Sequence, residues 1–312
     1  MKILIFGSSG LVGKSLERVL SNSTKVDELI CSTRNDTDLT DLISTKEKIS
    51  HIKPDLIIIA AAKVGGIFAN DTYRTDFILE NLKINMNIFE GCINFPNIRI
   101  INLGSSCIYP LNAQDPISEK SFMTGTLEPT NSPYAMAKLS AIEIGRSLNK
   151  EYGNKVINLM PTNLYGPNDN FSLENSHVIP GLIHRMHLAK NVGDKEFKIW
   201  GSGKPLREFL FVDDLSNFIE SILDFKDLKY DLYNVGSGEE VSIIELAKMI
   251  KKVLSYEGNI NTDLSMPDGN PRKFLDSGRV NETGWKAKVK LEEGIKITYE
   301  WFLSNLNNQI RT

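Results

Sequence analysis

Tyr134 and Lys138 are the residues of this 312-residue sequence best spaced to handle a proton. They open a long helical pattern in the segment Asn131-Ser-Pro-Tyr-Ala-Met-Ala-Lys138, and a four-residue spacing puts both side chains on one helix face. Ser132 is the expected cap of that helix and Pro133 its first residue. A free tyrosine has a pKa of about 10, too high for easy proton exchange near neutrality. A lysine ammonium beside the phenol stabilises the phenolate and brings the group toward a useful range. Such a pair suits a carbonyl that is receiving a hydride. The plain alternative is a surface helix carrying an ordinary Tyr and Lys, so the elements around the pair have to decide.

The first of those elements is a strand over Lys2 to Phe6, a short apolar run that ends at a glycine turn. The turn reads Gly7-Ser-Ser-Gly10-Leu11-Val12-Gly13, and helical spacing follows from Leu11 to Leu20. In a strand, turn and helix of this kind the first glycine permits the turn. The second lets the backbone approach a pyrophosphate, and the third lets helix and strand pack closely. A second strand spans Glu28 to Thr33, and Arg34 follows it. A cofactor with a free ribose 2'-hydroxyl usually meets a carboxylate about 20 residues past the glycines. Arginine at this place suits a 2'-phosphate instead, so NADPH is expected rather than NADH. Ser9 offers no second cation within the turn.

A polar helix is expected from Asp38 to Ser50, capped by Asp38 or Asp41, then a buried strand from Asp55 to Ala62. The small residues Ala60, Ala61 and Ala62, followed by Lys63 and the Gly65-Gly66 pair, leave room for a cofactor at that strand's end. A long helix from Tyr73 to Phe95 and a strand from Arg99 to Leu103 come next. The strand runs into Gly104-Ser105-Ser106-Cys107-Ile108-Tyr109-Pro110, at the edge where open parallel sheets bind ligands. A hydroxyl from Ser105 or Ser106 would share a substrate carbonyl with Tyr134, although two serines after a strand are also ordinary turn chemistry. Strands alternating with helices give an α/β fold, a Rossmann-type doubly wound parallel sheet with helices on both faces. A smaller mixed α/β C-terminal domain follows it.

The bulk composition bounds what the chain can do. With 41% hydrophobic and 24% charged residues it has ample core for one large or two ordinary domains. A net charge of -3 gives no electrostatic case for a nucleic-acid partner. No apolar run approaches a membrane span, and the start meets a glycine turn too soon for a signal peptide. Cys31, Cys92 and Cys107 are too few and too scattered for a disulfide framework or a metal site, so a reducing cytoplasm is expected.

These motifs together resemble the extended short-chain dehydrogenase/reductases that act on nucleotide sugars. More narrowly, the chain is similar to the GDP-4-keto-6-deoxymannose 3,5-epimerase/4-reductase (GDP-L-fucose synthase) family. The likeness rests on Ala-Ala-Lys63-Val-Gly-Gly-Ile, Gly-Ser-Ser-Cys107-Ile-Tyr-Pro and Gly-Thr-Leu-Glu-Pro-Thr-Asn-Ser-Pro-Tyr134. It continues through Met160-Pro-Thr-Asn163-Leu-Tyr-Gly-Pro, Asn175-Ser-His177-Val-Ile-Pro and Trp200-Gly-Ser-Gly. Arg207-Glu-Phe-Leu-Phe-Val-Asp-Asp and Pro267-Asp-Gly-Asn-Pro-Arg-Lys273 extend it over nearly the whole chain. Met266 departs from a lysine found in some relatives.

The resemblance implies a set of roles. Cys107 and His177 become the acid/base pair that inverts sugar carbons 3 and 5, with Cys107 favoured as the base. It favours Ser105 over Ser106 for orienting the carbonyl, beside Tyr134 and Lys138. The NADPH site gathers Gly7, Gly10, Leu11, Val12, Gly13, Arg34, Ala60, Ala61, Ala62, Lys63, Leu103, Tyr134, Lys138, Pro161, Asn163, Leu164 and His177. The GDP-sugar substrate falls to Ser105, Ser106, Cys107, Asn163, Trp200 and the cations Arg185, Arg207 and Lys273, which would surround the pyrophosphate. Residues 1–162, with about 208–231, form the cofactor domain, and 163–207 and 232–312 the substrate domain. In that scheme the strand over Phe209 to Phe211 returns to the first sheet, and Asp213 or Asp214 caps the helix after it. A homodimer paired through the helices near Tyr73 and Tyr134 is implied. Three alternatives stay open: another GDP-4-keto sugar such as a heptose, a 4-epimerase or dehydratase, and a non-enzymatic NADPH-binding protein.

Overall fold

The computed structural model describes residues 1–224, 228–266 and 268–306. Five strands and their helices build its first half: β1 (Lys2–Phe6), α1 (Leu11–Leu20), β2 (Glu28–Ser32), α2 (Leu42–Ile52), β3 (Leu56–Ile59), α3 (Ile67–Thr72), α4 (Arg74–Cys92), β4 (Arg99–Leu103), α5 (Ser132–Glu151) and β5 (Lys155–Pro161). The second half runs β6 (Asn163–Tyr165), α6 (Val178–Val192), β7 (Glu196–Trp200), β8 (Leu206–Phe211), α7 (Val212–Ser221), β9 (Leu232–Val235), β10 (Glu240–Ser242), α8 (Ile243–Leu254), β11 (Asn259–Asp263), β12 (Arg272–Lys273), α9 (Gly278–Asn281) and α10 (Leu291–Asn305).

Six parallel strands in the order β2-β1-β3-β4-β5-β9 form the main sheet. Alternate side chains of each strand feed opposite faces. Ile3 and Ile5 join Leu16, Phe218 and Ile219 on the α1 and α7 side. Leu4 and Phe6 join Ile88, Phe89 and Ala141 on the α4 and α5 side. This double burial explains why the strands read as continuous apolar runs. A separate core, including Phe171, Ile183, Phe197, Ile250 and Phe302, holds the second half together.

Two strands exchange places relative to expectation. β8 does not return to the main sheet; it pairs with β6, β10 and β12 in a four-stranded sheet. β9 extends the main sheet instead, with Leu159 opposite Tyr233 on β5. A parallel strand must follow its crossover helix, and α7, packed with α1 on one face of the sheet, is that helix. The apolar runs of β8 and β9 are too alike to reveal this order.

Helix ends differ in the same local way. Neither Asp213 nor Asp214 caps α7; both lie in its first turn. Asp213 accepts from Ser15 and Arg18 of α1, while Asp214 accepts the amides of Lys288 and Val289. The long helix expected from Tyr73 is α4, and the short α3 precedes it, with Tyr73 as the junction. Asp41 does cap α2, and Ser242 forms a capping box with Glu245 on α8. Among the described residues no helix is long and apolar enough to cross a membrane.

Candidate active site

The glycine turn lies at the carboxyl end of β1. Gly7 has φ +85°, which favours glycine, and a Cβ on Gly13 would collide with the Gly7 carbonyl and Ser8. Gly10 is open, with no atom nearer to an added Cβ than 3.6 Å. Gly10 also caps α1 without any side-chain bond, so the first helical amides, from Leu11 onward, stay available. Open backbone, free amides and a helix N-terminus suit the diphosphate of a dinucleotide.

β3 stops at Ile59, so Ala60, Ala61 and Ala62 follow the strand and do not end it, and the loop after them is held by a residue the sequence did not flag. Buried Asn81 accepts from the Lys63 amide at 3.1 Å and donates to the Lys63 carbonyl at 3.0 Å. The Lys63 side chain reaches Asp76 and Glu80, and Arg34 at the end of β2 faces Glu80 as well.

The catalytic candidates gather where β4 and α5 meet. Lys138 is 1% exposed and its ammonium donates to the Leu103 carbonyl at 2.8 Å. It sits over the Tyr134 ring, 5.8 Å from the centroid. Burial lowers its pKa to about 8, so it is still an ammonium at pH 7. The same burial, aided by nearby Cys107, pushes the Tyr134 phenol upward, against which a hydrogen bond with Ser105 works. In the protein alone the phenol is therefore raised, the reverse of the shift the Tyr-Lys spacing suggests. Lys138 stacks on the ring face, and burial dominates.

Ser105 links two of these groups, since its hydroxyl also accepts from the Cys107 amide at 3.2 Å. Ser106 is buried within the short turn Ser106–Ile108, away from that role. The Cys107 thiol meets two further side chains. Asn131 Nδ2 lies 3.5 Å from Sγ, and Lys273 Nζ lies 3.7 Å from it. Asn131, not Ser132, occupies the cap position of α5, yet its side chain makes no capping bond. That side chain turns to the sulfur instead, and its Oδ1 is buried without a protein partner. Lys273, expected near the pyrophosphate, reaches the thiol because β12 runs beside β8 with Lys273 opposite Arg207.

The remaining candidates lie at the end of β5 and on the elements that follow it. Arg185 on α6 stacks against Trp200 at 5.4 Å and Phe197 at 5.3 Å, making a flat cationic shelf. Neither Arg185 nor Arg207 has a carboxylate within ion-pair distance among the described residues, and burial pulls both guanidinium groups below their usual range. Enclosed cations of this kind, with only Asp268 acting on Arg207 from farther away, suit an anionic ligand. Pro161 and Leu164 sit at the end of β5 and in β6, and Asn163 donates to the Glu208 carbonyl at 2.8 Å. His177 precedes the first residue of α6 and opens toward solvent, yet the walls around it push its pKa down. No hydrogen bond joins it to Cys107 or Tyr134 among the described residues.

Glu208, fully buried on β8, was also absent from the sequence-based candidates. Its carboxylate accepts the amides of Gly238 at 2.8 Å and Leu275 at 3.2 Å, while its carbonyl accepts from the Thr162 hydroxyl at 3.1 Å. It thus fixes the segments that carry Arg207 and Lys273 to the end of β5. No cluster of His, Cys, Asp and Glu suited to a metal occurs among the described residues.

Residues 3–236 match the model of the NAD dependent epimerase/dehydratase family. The chain is 45% identical over 309 residues to GDP-L-fucose synthase 1 of Arabidopsis thaliana, covering 99% of this chain and 95% of that one. It is 42% identical to GDP-L-fucose synthase of Escherichia coli, covering 97% of each. Among solved structures it resembles a GDP-L-fucose synthetase from Naegleria fowleri bound to NADP, with TM-score 0.89 and 30% identity over 99% of this chain and 96% of that one.

Proposed function

The chain belongs to the NAD-dependent epimerase/dehydratase family, and we propose that it converts GDP-4-keto-6-deoxy-D-mannose to GDP-L-fucose by 3,5-epimerisation followed by NADPH-dependent 4-keto reduction. The observation that carries this reading is one site, where β4 meets α5, with two separate proton-handling groups. Ser105 bonds the Tyr134 phenol and also accepts from the Cys107 backbone amide, which sets the Cys107 thiol close enough to bear on the phenol. A simple reductase needs only the second.

A ketone at carbon 4 acidifies the protons on carbons 3 and 5. Cys107 removes them, with the Lys273 ammonium and the Asn131 amide facing its sulfur to stabilise the thiolate. His177 returns a proton on the opposite face. Its depressed pKa makes the imidazolium, once formed, a ready donor. Bound NADPH supplies the hydride that reduces carbon 4. Tyr134 gives the alkoxide its proton, Ser105 orients the oxygen, and Lys138 holds positive charge beneath the phenol as it ionises. Arg185, Arg207 and Trp200 hold the GDP portion, the cations on phosphate and the indole as a flat wall. Tyr73, Leu79 and Met86 near or on α4, with Met136 on α5, are exposed apolar residues and support a homodimer through these helices.

Turnover of GDP-4-keto-6-deoxymannose with NADPH in heavy water tests the reading. Cofactor oxidation with deuterium at carbons 3 and 5 of the product is expected. Oxidation without deuterium would reduce the activity to a 4-reductase, and no oxidation would refute the hexose substrate.

A further inference from the structure

The carboxyl ends of β2 and β3 flank the glycine turn, because both strands pair with β1. There one carboxylate of α4 bridges two cations. Glu80 Oε1 lies 3.6 Å from Arg34 Nη1, and Oε2 lies 3.3 Å from Lys63 Nζ. Lys63 also faces Asp76 at 3.4 Å, and Lys83 lies in the field of Asp38. Every one of these cations therefore already faces a carboxylate, and Ser8 and Ser9 of the turn add no charge.

We propose that Glu80 sets the cofactor specificity of this protein: it steadies Arg34 but opposes a 2'-phosphate, so NADPH is distinguished from NADH only weakly. The inference rests on the NADPH reading above and deepens it. A phosphomonoester carries about −1.5 to −2 charges at neutral pH. The Arg34 side chain that must receive it is 77% exposed, so solvent and salt screen the contact. Glu80, at 24% exposure, is the better shielded of the two and acts with the opposite sign. A 2'-hydroxyl feels neither group strongly. Removing the Glu80 charge should therefore change the affinity for one cofactor and spare the other.

Titrating the fluorescence of each reduced cofactor gives its Kd without any sugar present. For the wild type, NADPH is expected to bind only about two- to fivefold tighter than NADH. Glu80→Gln should tighten NADPH about three- to tenfold, with less gain at high salt, and keep NADH within about twofold. Arg34→Ala should abolish the preference, leaving the two cofactors within about 1.5-fold of each other. Asp76→Asn, which touches Lys63 alone, should give a smaller gain than Glu80→Gln. A Glu80→Gln protein that binds NADH normally but NADPH no better than wild type overturns the inference and leaves the cofactor reading standing. So does a gain from Asp76→Asn that matches Glu80→Gln. Failure of the wild type to bind NADPH overturns both.

Discussion

Replacing Lys138 by methionine separates what this ammonium does for catalysis from what it does for stability. Its pKa falls from 10.5 to about 8 on burial. Below pH 8 the group is charged in both folded and unfolded chains, and folding bears the full cost of desolvating it. Between pH 8 and 10.5 the folded chain sheds the proton first, so that cost is relieved as pH rises. The shift corresponds to about 3 kcal/mol at pH 7 and about 1 kcal/mol at pH 10. Methionine removes the penalty but leaves the Leu103 carbonyl without its donor, a loss of about 1–3 kcal/mol at either pH. Lys138→Met should therefore be as stable as the wild type, or up to about 2 kcal/mol more stable, at pH 7. Its stability relative to wild type should then drop by about 2.5 kcal/mol by pH 10. Urea unfolding of the cofactor-free proteins at the two pH values measures this, and comparing variant with wild type cancels the other titrating groups. A difference that stays flat within about 0.5 kcal/mol would show that the buried amine is not strained by its charge. The same variant should lose carbonyl reduction at both pH values.

The proton-handling groups make separable predictions. Tyr134→Phe should slow reduction by about 10²–10⁴-fold while deuterium still enters carbons 3 and 5; mass spectrometry of recovered keto-sugar distinguishes the two, and undiminished reduction would remove Tyr134 from its role. Cys107→Ser should suppress that exchange first, and normal exchange in this variant would show that another group is the base. Asn131→Ala removes a donor from the sulfur, so exchange should fall by about tenfold with NADPH affinity unchanged. Equal loss of cofactor binding would instead mark Asn131 as a prop for α5.

What the sequence reveals and what it hides follow from the range of the interactions involved. The glycine turn and the Tyr134–Lys138 pair are legible because their chemistry is set within a few residues, by a turn in one case and a helical spacing in the other. The partners of the Cys107 sulfur are harder. Asn131 is 24 residues away and Lys273 is 166, and only the β8–β12 pairing brings the lysine across. The direction of the Tyr134 shift is likewise a property of depth, which a four-residue spacing does not encode. The exchange of β8 and β9 has the same origin, since both are short apolar runs and only the handed path through α7 assigns them. Asn81 and Glu208 escape notice because each looks like an ordinary polar residue until the backbone groups that its side chain holds are in place.

Glu208 has a consequence for how a nucleotide sugar enters. Its carboxylate and carbonyl tie β8 to the loops near Gly238 and Leu275 and to the end of β5. Arg207 and Lys273 lie next to those ties, so they come to the cleft with their backbone already immobilised. The loss of chain freedom needed to order them is met during folding and is not charged against binding. A substrate then selects among side-chain rotamers on a stiff frame.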